Sequence, residues 1–152
     1  MTPGRATKRV LADRADWISI MVAEIRRLPL ENMEAFASDT KNVWAAESCL
    51  RRSLEALMDM GRHILAKAYE KGISEYKQIA AECEREGILS PEHSRLLRTL
   101  AGYRNRMVHF YHEITAEELY AICNEELDDL LVLRGAFLEW AKSNSDKVDE
   151  QL

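Results

Sequence analysis

Between Thr40 and Ala68 lies the strongest helical signal of the chain. Val43, Leu50, Leu54, Leu57, Met58, Gly61, Ile64, Leu65 and Ala68 recur there at three- and four-residue intervals. Asp39 or Thr40 can cap its start, and Gly72 follows its end. A run of about 30 residues makes roughly 45 Å of helix, longer than an average globular helix and suited to the spine of a bundle. A spine buries its apolar face only if other helices lie along it, and the flanking sequence offers them. One helix is expected from about Val10 to Leu28, with Leu11, Ile18, Met21, Val22 and Ile25 on one side and Pro29 ending it. Residues 30–39 read as a loop or short turn.

Beyond the spine, Ser74 can cap a third helix carrying Tyr76, Ile79, Ala80 and Cys83, which stops near Gly87. Ser90-Pro91 supplies an N-cap followed by proline at the first helical position, and opens a fourth helix with Leu96, Leu97, Leu100, Met107 and Val108. Thr115-Ala-Glu-Glu118 is a capping box for a fifth helix running through Leu119, Ile122, Leu127, Leu130, Leu133, Phe137 and Trp140. After Ser143 the sequence turns polar, and a frayed tail is expected. The predicted architecture is all-α: one domain over residues 1–152, an antiparallel bundle of about five helices with its core at about residues 10–143.

Composition narrows the class. Six glycines and three prolines are too few for the many tight turns of a sandwich or barrel. Cys49, Cys83 and Cys123 form no C-x-x-C pair, so neither a zinc knuckle nor a thioredoxin-like redox motif is available, and buried reduced thiols are expected. No apolar run approaches the 18 or so residues of a membrane span, and no signal-peptide pattern follows Met1, so the cytoplasm is the expected compartment. The net charge of −5 hides an asymmetry. Residues 113–152 carry eleven carboxylates against Arg134, Lys142 and Lys147, whereas residues 91–112 set Arg95, Arg98, Arg104 and Arg106 against Glu92 alone. Global acidity argues against a protein that coats nucleic acid, but leaves room for a small basic site.

That site is Gly102-Tyr-Arg104-Asn-Arg106-Met-Val-His109-Phe-Tyr111-His112. It combines fixed cations, a proton carrier active near neutral pH and a phenol, the groups wanted for RNA cleavage without metal. Histidine can take the proton from the attacking 2′-OH or give one to the departing 5′-oxygen, and a guanidinium fork stabilises the phosphate as it gathers charge. Helical spacing complicates this: Arg104 and Tyr111 share a face, while His109 lies about 140° from Arg104 on an ideal helix. Either the helix distorts near His109 or a second copy completes the site across a two-fold dimer, and the dimer is favoured. Blander roles compete. His109 can cap a helix end, the arginines can pair with the acidic last helix, His63 can be a hydrogen-bonded structural histidine, and Trp44, Met58 and Met60 can be core or dimer-interface residues. His109 and His112 could hold a metal, yet no Glu-x-x-His accompanies them, so neither a metal site nor a cofactor is expected.

At these residues the sequence resembles the HEPN-domain toxins of the HepT type. Their signature, Arg, four residues, His, one residue, Tyr, stands complete in Arg104-Asn105-Arg106-Met107-Val108-His109-Phe110-Tyr111. Leu50 through Ile64, with Glu55, Leu57, Asp59 and His63, is similar to the family's long helix; Tyr76 through Leu100 is similar to its next segment, with Ile79 or Ala80 where an aromatic is more usual. The resemblance covers roughly residues 10–140 and implies a homodimeric, metal-independent endoribonuclease toxin. Arg104 and His109 would be the catalytic pair, with Asn105 supporting them. It further implies a nucleotidyltransferase antitoxin that transfers AMP onto Tyr111 and blocks the site. Arg98, Arg106 and His112 are candidates for flanking RNA contacts, and transfer or messenger RNA would suit such a site as substrate. The rival reading is a non-catalytic HEPN module that docks the nucleotidyltransferase.

Overall fold

The long apolar stripe folds as one helix, α3 (Thr40–Ala68), of 29 residues. Asp39 makes its cap, accepting a hydrogen bond from the Lys41 N–H at 2.9 Å. The computed structural model describes residues 4–110 and 113–149. Around α3 stand α1 (Lys8–Arg26), α2 (Met33–Ala37), α4 (Tyr76–Arg85), α5 (Pro91–His109), α6 (Ala116–Glu125) and α7 (Leu127–Ser143), with two-residue strands β1 (Ala6–Thr7) and β2 (Val148–Asp149). The fold is all-α, as the periodicity implies. α1 runs antiparallel to α3, with Thr7 at its start meeting His63 and Arg14 meeting Asp59. α5 runs antiparallel to α3 on another side, and its Ser94 hydroxyl donates to the Ala80 carbonyl of α4 at 2.9 Å. Leu50, Leu54, Leu57, Met58, Met60, Ile64 and Leu65 of α3 are fully buried, with Ile18, Ile25, Leu97, Leu130 and Phe137 contributed by its neighbours. Met58 and Met60 are therefore core residues. Cys83 and Cys123 are buried too, and burial pushes their thiols up to about 12, so they stay protonated.

The starts of α5 and α6 are the ones read from sequence, whereas α4 follows Glu75 with no side-chain cap and is not capped by Ser74. Ser90 accepts from the His93 N–H at 3.1 Å with Pro91 behind it, and Thr115 accepts from the Glu118 N–H at 3.1 Å. Four further features differ from the sequence expectation. A short helix, α2, forms in the 30–39 segment, capped by Asn32, whose side chain accepts from the Ala35 N–H at 2.7 Å. The expected fifth helix breaks at Glu126 into α6 and α7. Carboxylates are favourable at a helix N-terminus, and the break places Asp128 and Asp129 in the first turn of a new helix. The spine ends not on Gly72 but earlier. Glu70 takes a left-handed conformation (φ 56°) and lets the Lys71 N–H reach back to the Leu65 carbonyl at 2.9 Å.

Finally, residues 144–149 do not fray. Residues Ser145–Lys147 make a 3-10 turn, and β2 pairs parallel with β1, Ala6 opposite Val148, both buried. Trp140 Nε1–H donates to the Tyr69 hydroxyl at 3.3 Å just before that return. One valine in a polar tail is too weak a periodic signal to announce this. At the other terminus Gly4 passes so close to the end of α3 that a Cβ there would fall 2.6 Å from the Lys67 carbonyl oxygen.

His63 ties this terminal clasp to the spine. Its Nε2 accepts the Thr7 N–H at 2.8 Å, so the ring must be neutral with its proton on Nδ1. Burial lowers its pKa below the ordinary value, helped by Lys67 and Arg14. The native state thus binds this proton less readily than the unfolded chain. Stability held above about pH 6.5 falls as the pH drops below that value. Urea unfolding at pH 7.5 and 5.5 checks this: the wild type loses stability on acidification, and His63→Gln, which cannot take the proton, loses less. Glu70→Gly relieves the left-handed strain and is expected to raise stability by about 1 kcal/mol, read as a shift in urea midpoint.

Candidate functional site

α5 stays helical through His109, and its backbone is capped there by the Phe110 N–H bonding the Arg106 carbonyl at 2.8 Å. The helix is regular through Arg104, Asn105 and His109, the described part of the motif. Arg104, Asn105 and His109 line one cleft of about 640 Å³, closed on its other side by Arg62 from α3 and by Glu75, Tyr76 and Lys77 at the start of α4. The 140° between Arg104 and His109 is spanned by Asn105, which lies between them on the helix and on the cleft wall. His109 is exposed at the rim, whereas the Arg104 side chain retains 20% of its accessible surface.

Arg104 is held from three sides. Its guanidinium carbon stands 4.2 Å from the centroid of the Tyr76 ring, a cation–π contact. Its Nη1 donates to Asn105 Oδ1 at 3.3 Å, and its Nε lies 3.4 Å from Glu55 Oε1. That last pair is an ion pair without hydrogen-bond alignment, for the buried Nε–H has no acceptor. Glu55 is shared, since Arg51 Nη1 lies 3.5 Å from the same oxygen. Arg104 is thereby oriented by stacking and a shared charge rather than locked into a bidentate carboxylate fork, which leaves its donors able to take a planar anion.

The other candidates separate. Arg106 points away from the cleft and forms a two-pronged pair with Glu118, Nη2 to Oε2 at 3.0 Å and Nη1 to Oε1 closer still. The Glu118 carboxylate of the capping box is therefore engaged by α5. Arg98 is exposed two turns before Asn105 and does not line the cleft. Tyr111 and His112 lie outside the described residues. Sequence reasoning missed Arg62 and the site role of Tyr76. A signal existed for Arg62: it follows Glu55 by seven positions and shares its face of the long helix. Tyr76 comes to Arg104 only through the fold. Among the described residues no three His, Cys, Asp or Glu side chains cluster as a metal site, and no helix is long and apolar enough to cross a membrane.

On the other side of the α5 end lies a second, largely apolar groove of about 530 Å³, where Val43, Trp44, Met107, Val108, Ile114 and Leu119 meet the charged Glu47 and Arg51. Trp44 is 70% exposed there and Val108 36%, while Met107 and Leu119 are buried beneath them; Phe110, 51% exposed, lines the basic cleft instead.

The family model described as Ribonuclease HepT-like matches residues 18–134. This chain belongs to the HepT-like family. No curated protein matches it. Solved structures do. The tri-AMPylated HEPN toxin of Shewanella oneidensis, in complex with MNT antitoxin, matches with a TM-score of 0.77 over 86% of this chain and 97% of that one, at 17% identity. A toxin–antitoxin structure with AMP-PNP matches at 0.76, over 84% and 97%, with 16% identity. YutE of Bacillus subtilis, a cytosolic protein of unknown function, matches at 0.74 over 91% and 94%, with 14% identity. At such identities the likeness establishes the HEPN fold and nothing finer.

Proposed function

We propose that this chain is the ribonuclease toxin of a toxin–antitoxin pair and cuts RNA at the Arg104–His109 cleft without a metal. The observation that carries this is the convergence of Arg104, Asn105 and His109 on one basic cleft within a HepT-like chain. Arg104 holds the scissile phosphate and stabilises its charge as the ribose 2′-oxygen attacks phosphorus. The O2′–P bond forms, the P–O5′ bond breaks, and the products are a 2′,3′-cyclic phosphate and a free 5′-hydroxyl. One proton must leave the 2′-OH and one must reach the 5′-oxygen, and His109 performs one of these transfers. Asn105 supports the site by holding Arg104 in place. The second proton transfer falls to His109 of another copy of the chain in a homodimer. The exposed Trp44 and Val108, side by side in the second groove, support that assembly, because exposed apolar side chains next to a site are commonly covered by a partner.

The partner proposed for regulation is a nucleotidyltransferase antitoxin, in keeping with the toxin–antitoxin complexes that share this fold. The Tyr111 phenol oxygen would attack the α-phosphorus of ATP, with pyrophosphate leaving, and the anionic AMP so attached would block RNA binding.

Cleavage of a total RNA pool by purified protein in EDTA tests the nuclease. Wild-type protein with unmodified Tyr111, verified by mass, is expected to cut and leave 2′,3′-cyclic ends. His109→Ala is expected to lose 10²–10⁴-fold in rate, whereas equal cutting by His109→Ala, or activity abolished by EDTA, would sink the mechanism. For the assembly, Trp44→Glu places a charge in the apolar groove. Sedimentation is expected to show a dimer for wild type and a monomer for the variant, with cleavage lost alongside.

A further inference from the structure

We propose that Arg62 is a second RNA-phosphate ligand of the cleft, held on the Tyr76 ring beside Arg104 to take the phosphate next to the scissile one. The inference rests on the ribonuclease reading and adds a subsite to it. The Arg62 guanidinium carbon lies 4.8 Å from the Tyr76 ring centroid, and that of Arg104 lies 4.2 Å from the same centroid. Two like charges gathered on one phenol ring repel each other, so the arrangement is favourable only where something offsets their charge.

The carboxylates at hand do so incompletely. Asp59 reaches Arg62 Nη1 only at 4.0 Å and also serves Arg14 at 3.5 Å, while Glu55 divides itself between Arg104 and Arg51. The Nε–H of both Arg62 and Arg104 is buried with no acceptor, so turning either guanidinium toward an incoming anion breaks no hydrogen bond at that nitrogen. A phosphate offers planar forks the oxygen pairs they match; on the same wall Lys77 adds a positive charge and Glu75 a negative one, which leaves the two arginines in excess. Consecutive phosphates of a single RNA strand present two such anions side by side. Tyr76 is then a positioning residue, fixing the spacing of two guanidiniums. Arg106 cannot play this part, since Glu118 holds it on another side of the helix.

The test is binding of a fluorescein-labelled, single-stranded, mixed-sequence oligoribonucleotide, followed by anisotropy at graded salt. It uses the full-length His109→Ala protein, so that the RNA stays whole, with wild-type cleavage measured alongside. Adding Arg62→Gln is expected to weaken binding on the order of tenfold. The slope of log K against log salt is expected to fall by about 0.7, the value for one phosphate contact on a single strand. Arg62→Lys keeps the charge but not the stacked fork: it is expected to hold the slope while losing part of the affinity, and it carries the test if Arg62→Gln fails to melt cooperatively. An unchanged affinity and slope in Arg62→Gln, with wild type still cutting RNA, would overturn the subsite and leave the nuclease intact. Weaker binding with an unchanged slope would also overturn it, assigning Arg62 to shape alone. No binding by any variant, with no cleavage by wild type, would overturn both.

Discussion

The burial of α3 governs what the rest of the molecule can do. Between Leu50 and Leu65 it is packed on nearly every side, and only Arg51, Arg52, Glu55, Asp59, Arg62 and His63 escape full burial. Those positions recur at three- and four-residue intervals, so they form one polar stripe down an otherwise apolar rod. Over that stretch, the polar contacts the spine offers to its neighbours come from that stripe. Glu55 is aimed at Arg104, Asp59 at Arg14, Arg62 at Tyr76 and His63 at Thr7. Each contact ties a different element to the spine: α5, α1, the start of α4, and the terminal clasp. The same few residues therefore assemble the bundle and furnish one wall of the cleft.

Much of this was legible in the sequence, and the parts that were not share a cause. The spine, the caps at Asp39, Ser90 and Thr115, and the Arg104–His109 motif are local signals: periodicity, a hydroxyl or carboxylate at a helix start, a short run of unusual residues. Non-local contacts leave no such trace. Tyr76 looks from the sequence like one more apolar position on a short helix, and its use becomes visible only when the α3–α4 turn sets it against two arginines from two other helices. The return of Val148 to Ala6 joins residues from opposite ends of the chain. Glu70 was hidden for another reason: a glycine two residues later offered the better-known helix stop, and the chain instead placed a glutamate in the left-handed turn. The break at Glu126, by contrast, was written in the sequence as a cluster of four carboxylates and was outweighed by the apolar spacing on either side of it.

A cleft that must receive phosphate cannot hold its cations too firmly. A guanidinium in a bidentate carboxylate pair, like Arg106 with Glu118, has its fork already filled, and an entering phosphate would have to displace the acid and leave it uncompensated. Arg104 is held differently. The Tyr76 face attracts the cation without occupying its in-plane donors, and Glu55 balances part of the charge from an unaligned position. Orientation and availability are thereby separated. Within one stretch of α5, two residues apart, the same side-chain type serves as a helix-to-helix strut and as a candidate phosphate ligand, and the difference lies wholly in what each one touches.

The end of α5 divides two chemistries. Val108 faces the apolar groove with Trp44, and His109, its neighbour in sequence and about 100° around the helix, lines the basic cleft. On the proposed reading, a second copy of the chain covering the apolar groove would bring its own α5 end alongside this one. The two His109 rings would then flank a common seam, one to remove a proton and one to supply it, while the arginine-lined walls remain open to the strand. A monomer would have the phosphate-binding wall but only half of the proton-transfer apparatus. On that reading, hydrophobic and candidate catalytic residues on adjacent positions of one helix turn would make assembly a condition of the chemistry, because the contact joining two copies would also set the distance between their histidines.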